Sequence, residues 1–261
     1  MGFRVFIGWD SRFPEPGLVL AHSIRQRAFI PLDIRFLDLR HLKDCYGFKA
    51  PHDSRATTEF TYSRFLVPWL CGYEGVAMFL DNDMLCLGDI AELANLPMEG
   101  LALRVRKHEQ KAVDGALKMG GAVQTAYPRK NHSSFMVMDC ARLKCWTKEV
   151  VEEGDGARLH RFRDVADEQI GEVPDGWNDL EPQYRPGITR TLHWTEGMVW
   201  NYPDWKERRA RGELPDFPWR QLWLDAYDAW RENVEKGHEI LEAATVQAPS
   251  SGHGPGSHLP Q

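Results

Sequence analysis

Apolar residues in this chain fall into short runs separated by stretches with helical spacing. Residues 3–8 form an apolar run that predicts a buried strand, followed by a polar, proline-containing loop over 9–16. Leu18, Leu20, Ala21, Ile24 and Ala28 recur at helical spacing and predict a helix over 17–29. A second strand is expected over 34–37. Residues 41–56 read as polar and irregular. Residues 57–70 read as helical, with Phe60, Phe65, Leu66, Trp69 and Leu70 as core candidates and Pro68 expected to disturb the last turn. Residues 76–80 are apolar throughout, as a central strand covered on both faces should be. Asp89 reads as the N-cap of a short helix over 90–95.

Further strands are expected over 101–105, 135–139 and 188–193. Further helices are expected over 141–153, with Leu143, Trp146 and Val150 on one side, and over 163–170. Residues 107–124 are charged and then glycine-rich, and are expected to be mobile. A long amphipathic helix is expected over 218–244, with Trp219, Leu222, Tyr227, Trp230 and Val234 near helical spacing. Packing on the body of the domain is the leading role for its apolar face, and a membrane or partner surface the alternative. The strand-helix-strand opening predicts an α/β class with a mostly parallel central sheet flanked by helices. The expected organisation is one domain over 1–246 and a disordered tail over 247–261, rich in Gly, Pro, Ser and His. No internal repeat is visible.

Composition narrows the function classes. The chain has 261 residues, 43% hydrophobic and 27% charged, the profile of an ordinary soluble globular protein. A formal net charge of −6 argues against a nucleic-acid partner, which favours a basic stripe. No apolar run reaches the roughly 18 residues of a membrane span, and the N-terminus lacks a signal-peptide core. The five cysteines form no closely spaced pair and read as reduced thiols, so a cytoplasmic location is expected.

The chemistry concentrates where the apolar run 76–80 ends in Asp81-Asn82-Asp83. Alternate residues on an extended chain point the same way, so Asp81 and Asp83 can converge. Open α/β sheets bind ligands at the carboxyl ends of their strands. A divalent cation there would cancel the repulsion between the carboxylates, and hard cations such as magnesium and manganese take carboxylates together with substrate phosphates. The plain alternative is a solvated turn, since Asp and Asn favour turns. Among the histidines, His22, His41, His52, His108, His132, His160 and His238 show no paired metal spacing.

The segment from Phe79 through Asp81, Asp83, Asp89 and Ile90 to Leu93 resembles the metal-binding motif of GT-A-type glycosyltransferases, most of all family 8. Upstream, Tyr62-Ser63-Arg64 is similar to that family's Tyr-x-Arg helix. Downstream, His193-Trp194-Thr195-Glu196-Gly197 resembles its late His-x-x-Gly segment. The pieces follow in the family's order over roughly 3–205.

The resemblance implies a single GT-A-like domain with a Rossmann-like sheet. It implies transfer of a sugar from a nucleotide-diphosphate donor, a UDP-sugar by default, to an unknown acceptor with retention. Asp81, Asp83 and His193 would ligate Mn2+, with Mg2+ as the alternative, and a metal-binding His193 would have to be neutral, so that activity falls in mild acid. Arg64 would reach the donor phosphates. Gly8, Trp9, Asp10, Tyr62 and Arg64 would contact the nucleotide, with Trp9 either stacking on the base or lying in the core. Asn82, Ser133, Ser134, Asp167 and Glu168 would contact the sugar, Ser133 and Ser134 following Asn131 where the family often has Asn-x-Gly. Asp167 and Glu168, with Arg64, are the catalytic candidates. Trp177-Asn178 after Pro174 matches a pattern that commonly follows the acidic segment. Two departures stand out. The family's late diphosphate lysine is missing from Gly197 to Asn201, with Lys206 a distant substitute, and serines replace the usual glycine at 133–134. These departures keep open a nucleotide-sugar binder without turnover. A haloacid dehalogenase-type phosphohydrolase, which also ends a strand in Asp-x-Asp, is the remaining rival.

Overall fold

The computed structural model describes residues 2–107 and 132–237. β1 (Phe3–Gly8), α1 (Pro14–Arg27) and β2 (Leu32–Leu37) open the chain as a strand-helix-strand unit in which β1 and β2 pair in parallel. Pro14 and Pro16 sit in the first turn of α1, where a missing N–H costs nothing. From Pro16 to Ile24 every residue of α1 is buried. α2 (Leu39–Tyr46) follows at once. The Asp38 carboxylate accepts the Arg40 N–H at its start, and Gly47 closes it at φ 62°. A helix therefore stands in the stretch expected to be irregular, because its one buried residue, Leu42, leaves little apolar periodicity to read.

Residues 57–70 are turns, a 3₁₀ turn Ser63–Leu66 and the short α3 (Val67–Leu70), not one helix. Pro68 lies in the first turn of α3, so it starts that helix and disturbs no last turn. β3 (Val76–Leu80) and β4 (Met84–Cys86) flank the acidic pair, and the Asp89 carboxylate accepts the Ala91 N–H at the start of α4 (Ala91–Ala94). β5 (Leu103–Val105) and β6 (Phe135–Asp139) follow. The helix expected over 141–153 is broken into a 3₁₀ turn Cys140–Arg142 and α5 (Lys148–Glu152), because Thr147 caps the Val150 N–H and starts a new helix. α6 (Gly156–His160) was not legible. Residues expected as a helix over 163–170 instead form a 3₁₀ turn Asp167–Gln169 leading into β7 (Ile170–Glu172). β8 (Asp179–Leu180), β9 (Thr191–His193), α7 (Trp205–Arg211) and α8 (Arg220–Glu235) complete the described chain.

The main sheet has the order β2-β1-β3-β6-β5-β7. β1 pairs in parallel with β2 and β3, and β7 in parallel with β5, while β6 runs antiparallel to both its neighbours. The sheet is thus mostly parallel and flanked by helices, as expected. A small sheet β4-β9-β8 stands at its edge. One core lies between α1, β1, β3 and α8, and the other between the opposite sheet face and Phe60, Phe65 and Trp146. α8 buries Trp223, Leu224, Tyr227 and Trp230, with Trp223 packed on Trp200 and Trp205 at centroid distances of 4.9 and 5.6 Å. Its apolar face is therefore spent on the core. Among the described residues no helix is long and apolar enough to cross a membrane. Residues 108–131, with most of the stretch expected to be mobile and Asn131, lie outside the described residues, as do 238–261 with the expected tail.

Candidate metal centre

Two strands that end side by side build this centre. The Asp81 N–H donates to the Ser134 carbonyl at 2.8 Å, which prolongs the β3–β6 ladder by one bond. Beyond Asn82 the chain turns into β4, where Met84 pairs with His193 of β9, and the Trp194 N–H donates to the Asp83 carbonyl at 3.0 Å. That register puts a buried imidazole beside the acidic pair. One ligand atom each from Asp81, Asp83 and His193 lies within 4.8 Å of the other two. His193 Nε2 stands 3.3 Å from Asp83 Oδ1, a buried oxygen. Burial pushes the imidazole pKa down, but the carboxylates of Asp83, Asp81 and Glu181 outweigh it and the net direction is up. The donor set, one buried histidine and two carboxylates at a sheet edge, fits a hard or borderline divalent cation.

The ring of His193 is fixed from behind. Its Nδ1 lies 2.9 Å from Asn178 Oδ1, so Nδ1 carries a proton and Nε2 is the atom turned toward the carboxylates. Asn178 is fully buried, holds φ 58°, and donates through Nδ2 to Ser134 Oγ at 3.2 Å. Asn tolerates this left-handed backbone better than most residues. A line of contacts therefore runs from Ser134, just before β6, through Asn178 to His193.

Arg64 closes the other side. Arg64 is 5% exposed, and its guanidinium lies against the rings of Phe60 and Phe79, 5.2 and 5.0 Å from their centroids. Nη1 sits 2.7 Å from Asp81 Oδ1 and donates to the Ser133 carbonyl at 3.0 Å. Ser133 Oγ is 2.8 Å from His160 Nδ1. Burial, then the nearby Arg64 charge, drive the His160 pKa down to about 3, so this ring is neutral and accepts the serine hydroxyl.

The structure brings Arg64, Asp81, Asp83, Ser133, Ser134 and His193 together. The other candidates are engaged in contacts of their own. Gly8 is needed for packing, since a Cβ there would meet the Phe60 ring at 2.5 Å. Trp9 is 7% exposed and packs edge-on against Phe36, within the core. Asp10 is buried and held by Arg12 at 2.6 Å. The Tyr62 hydroxyl donates to Asp53 at 2.7 Å, and its pKa is raised to about 12 by burial and that carboxylate. Asn82 is buried, its Cβ 3.7 Å from the place a Cβ on Gly17 of α1 would take. Lys206 is paired with Glu15 at 2.6 Å.

Asp167 and Glu168 stand apart from this group. They precede β7, whose first residue Ile170 is level with Leu103, Met138 and Ala77, at the start of β3. Asp81 follows the other end of β3. The two exposed carboxylates thus stand at the opposite edge of the sheet, and the structure does not bring them to the site. Sequence reasoning missed Asn178, His160 and Glu181, the last a 7% exposed carboxylate that accepts the Thr195 N–H at 3.2 Å. The Trp177-Asn178 pattern was the one signal for Asn178. The other two carried none.

This arrangement sits on a known framework. The fold is similar to that of the glycosyltransferase GlyE from Streptococcus pneumoniae TIGR4, with a TM-score of 0.55 and 13% identity over 90% of this chain and 64% of that one. It is also similar to the bifunctional glycosyltransferase WbbM, with a TM-score of 0.51 and 16% identity over 86% of this chain and 51% of that one. The chain spans about half the length of WbbM and just under two thirds of GlyE. Its fold class is therefore the GT-A-like α/β fold of glycosyltransferases. No protein-family model matches the chain. At the level of sequence it is 35% identical over 245 residues to Protein CDI of Arabidopsis thaliana, covering 90% of this chain and 89% of that protein. The chain belongs to the family of Protein CDI.

Proposed function

We propose that the protein is a metal-dependent glycosyltransferase, of the family 8 kind, that transfers a sugar from a UDP-sugar to an acceptor with retention. We take residues 1–246 as its one catalytic domain. The convergence of Asp81, Asp83 and His193 beside Arg64, at the carboxyl edge of the sheet, carries this reading. Asp81, Asp83 and His193 would hold the divalent cation, Mn2+ or Mg2+. When bound, such a cation supplies Lewis-acid charge to a diphosphate leaving group.

The chain's own residues do the rest. Asn178 sets the His193 tautomer that leaves Nε2 available. Arg64 neutralises Asp81 and adds positive charge at the place where a diphosphate would lie. The Gly8-Trp9-Asp10 segment, where β1 ends on the same edge, is the proposed nucleotide wall, and the Ser133-Ser134 segment the proposed sugar wall. We assign Asp167 and Glu168 no role, because of their position at the far edge.

A second reading is a nucleotide-sugar binder without turnover. It is favoured by the missing late lysine and by an Arg64 guanidinium already engaged with Asp81 and the Ser133 carbonyl. The GT-A-like fold removes support from the phosphohydrolase reading. Purified protein should be incubated with a panel of nucleotide sugars, in manganese and in chelator. Chelator-sensitive hydrolysis of one UDP-sugar supports the transferase. Metal-dependent UDP binding with no hydrolysis or transfer favours the binder, and absence of both rejects the two readings together.

A further inference from the structure

Trp219 holds an unusual position. It is 44% exposed and sits at the start of α8 with φ 60°, a backbone region that bulky L-residues rarely occupy. The surroundings hold it there. Its Nε1–H donates to the Glu181 carbonyl at 2.9 Å, and the preceding Pro218 carbonyl accepts the Trp194 Nε1–H at 2.9 Å. Both anchors lead to the metal centre. Leu180, just before Glu181, pairs with His193, and Trp194 follows His193 and binds the Asp83 carbonyl. Tyr184 leans on the indole at a centroid distance of 4.5 Å. Strained backbone held by its surroundings is a mark of functional positions.

Tyr184 also lines a shallow depression of about 390 Å³, with Arg106, Asp179, Gln183 and Arg185. Its floor is strongly polar. Asp179 is fully buried, its Oδ2 taking Arg185 at 2.9 Å and Thr189 at 2.8 Å, while Oδ1 is ion-paired with Arg106 at 3.7 Å. Arg106 follows β5 at the end where β3 gives way to Asp81, so the depression opens on the same edge as the metal centre. A half-open aromatic shelf beside carboxylate, guanidinium and amide groups matches one ligand chemistry. A pyranose offers C–H bonds on its face and hydroxyls on its rim.

We propose that the Trp219–Tyr184 shelf and the adjoining Asp179 depression form a carbohydrate subsite that takes a pyranose ring of the acceptor. The inference rests on the transferase reading for the word acceptor; carbohydrate binding is tested without it. The full chain should be screened on an array of immobilised neutral and acidic oligosaccharides. The oligosaccharide retained best is then titrated calorimetrically against wild type, W219G, W219F and Y184A. Glycine suits φ 60°, so W219G removes the ring while relieving the backbone. The expected result is affinity weakened about tenfold or more in W219G, partly restored in W219F. Manganese-dependent UDP binding should be unchanged, and W219G should melt no lower than wild type. If W219G fails to fold, Y184A carries the same expectation. No retention of any oligosaccharide by wild type, or variants that bind as wild type does, overturns the subsite. Loss of carbohydrate binding in W219G from a wild type that never binds UDP leaves the subsite standing and removes the transferase reading.

Discussion

His193 Nδ1 and Asn178 Oδ1 are 2.9 Å apart, both groups buried, and this contact decides which imidazole nitrogen faces Asp83. Partners behind a ligating histidine commonly contribute about 10–100-fold to metal affinity. Asn178→Ala should therefore lose manganese affinity on that scale, measured by calorimetry, with the carboxylates untouched. Asn178→Asp keeps an acceptor for Nδ1–H and should recover most of it. Equal loss in both variants would mean that Asn178 serves only the packing around Ser134.

Arg64 and Asp81 form a pair whose side chains are 6% and 14% exposed. Removing one member leaves the other charge buried, which costs on the order of 3 kcal/mol. Arg64→Ala should lower unfolding stability by about that amount in urea titrations. The Arg64→Ala, Asp81→Asn double variant should recover part of the loss, because no lone carboxylate remains. Additive losses would show that the two groups do not interact.

Legibility followed local signals. β1, β3 and β6 were readable to the residue because their apolar runs end in Gly8, Asp81 and Asp139. The acidic pair was readable for the same reason, as charge placed where a buried strand stops. α2, α6 and α7 were not, since they bury one residue each and leave no periodicity. Asp167 and Glu168 show a different limit. The motif around them was legible, but the edge of the sheet it occupies depends on β7 running parallel to β5, a long-range pairing. Asn178 and His160 likewise depend on partners 15 and 27 residues away.

Asp83 offers a direct test of the metal assignment. Its buried Oδ1 faces His193 Nε2 at 3.3 Å. Asp83→Ala should abolish the manganese dependence of UDP binding and lower hydrolysis of the donor at least about 100-fold. Its melting temperature without metal should stay near that of wild type or rise, because the carboxylate is then no longer confined beside Asp81. Full metal-stimulated turnover in Asp83→Ala would remove Asp83 from the ligand set.

His160 gives the chain a pH dependence that does not involve the metal ligands. Its ring packs edge-on against Phe65 at 5.1 Å and accepts the Ser133 hydroxyl through Nδ1. Burial and the Arg64 guanidinium lower its pKa to about 3, against 6.5 for an unperturbed histidine. Between those values the unfolded chain binds a proton that the folded chain does not. Stability from this group is therefore complete above about pH 6.5 and is lost as pH falls toward 3, with a limiting slope of about 1.4 kcal/mol per pH unit. His160→Gln can still accept from Ser133 but does not titrate. Urea unfolding of both proteins from pH 7 to 4 should give wild type the steeper loss, by about 1 kcal/mol per pH unit below pH 6. Parallel pH profiles would mean that the ring is protonated in the folded protein, and that Ser133 and Arg64 are arranged around a charged histidine.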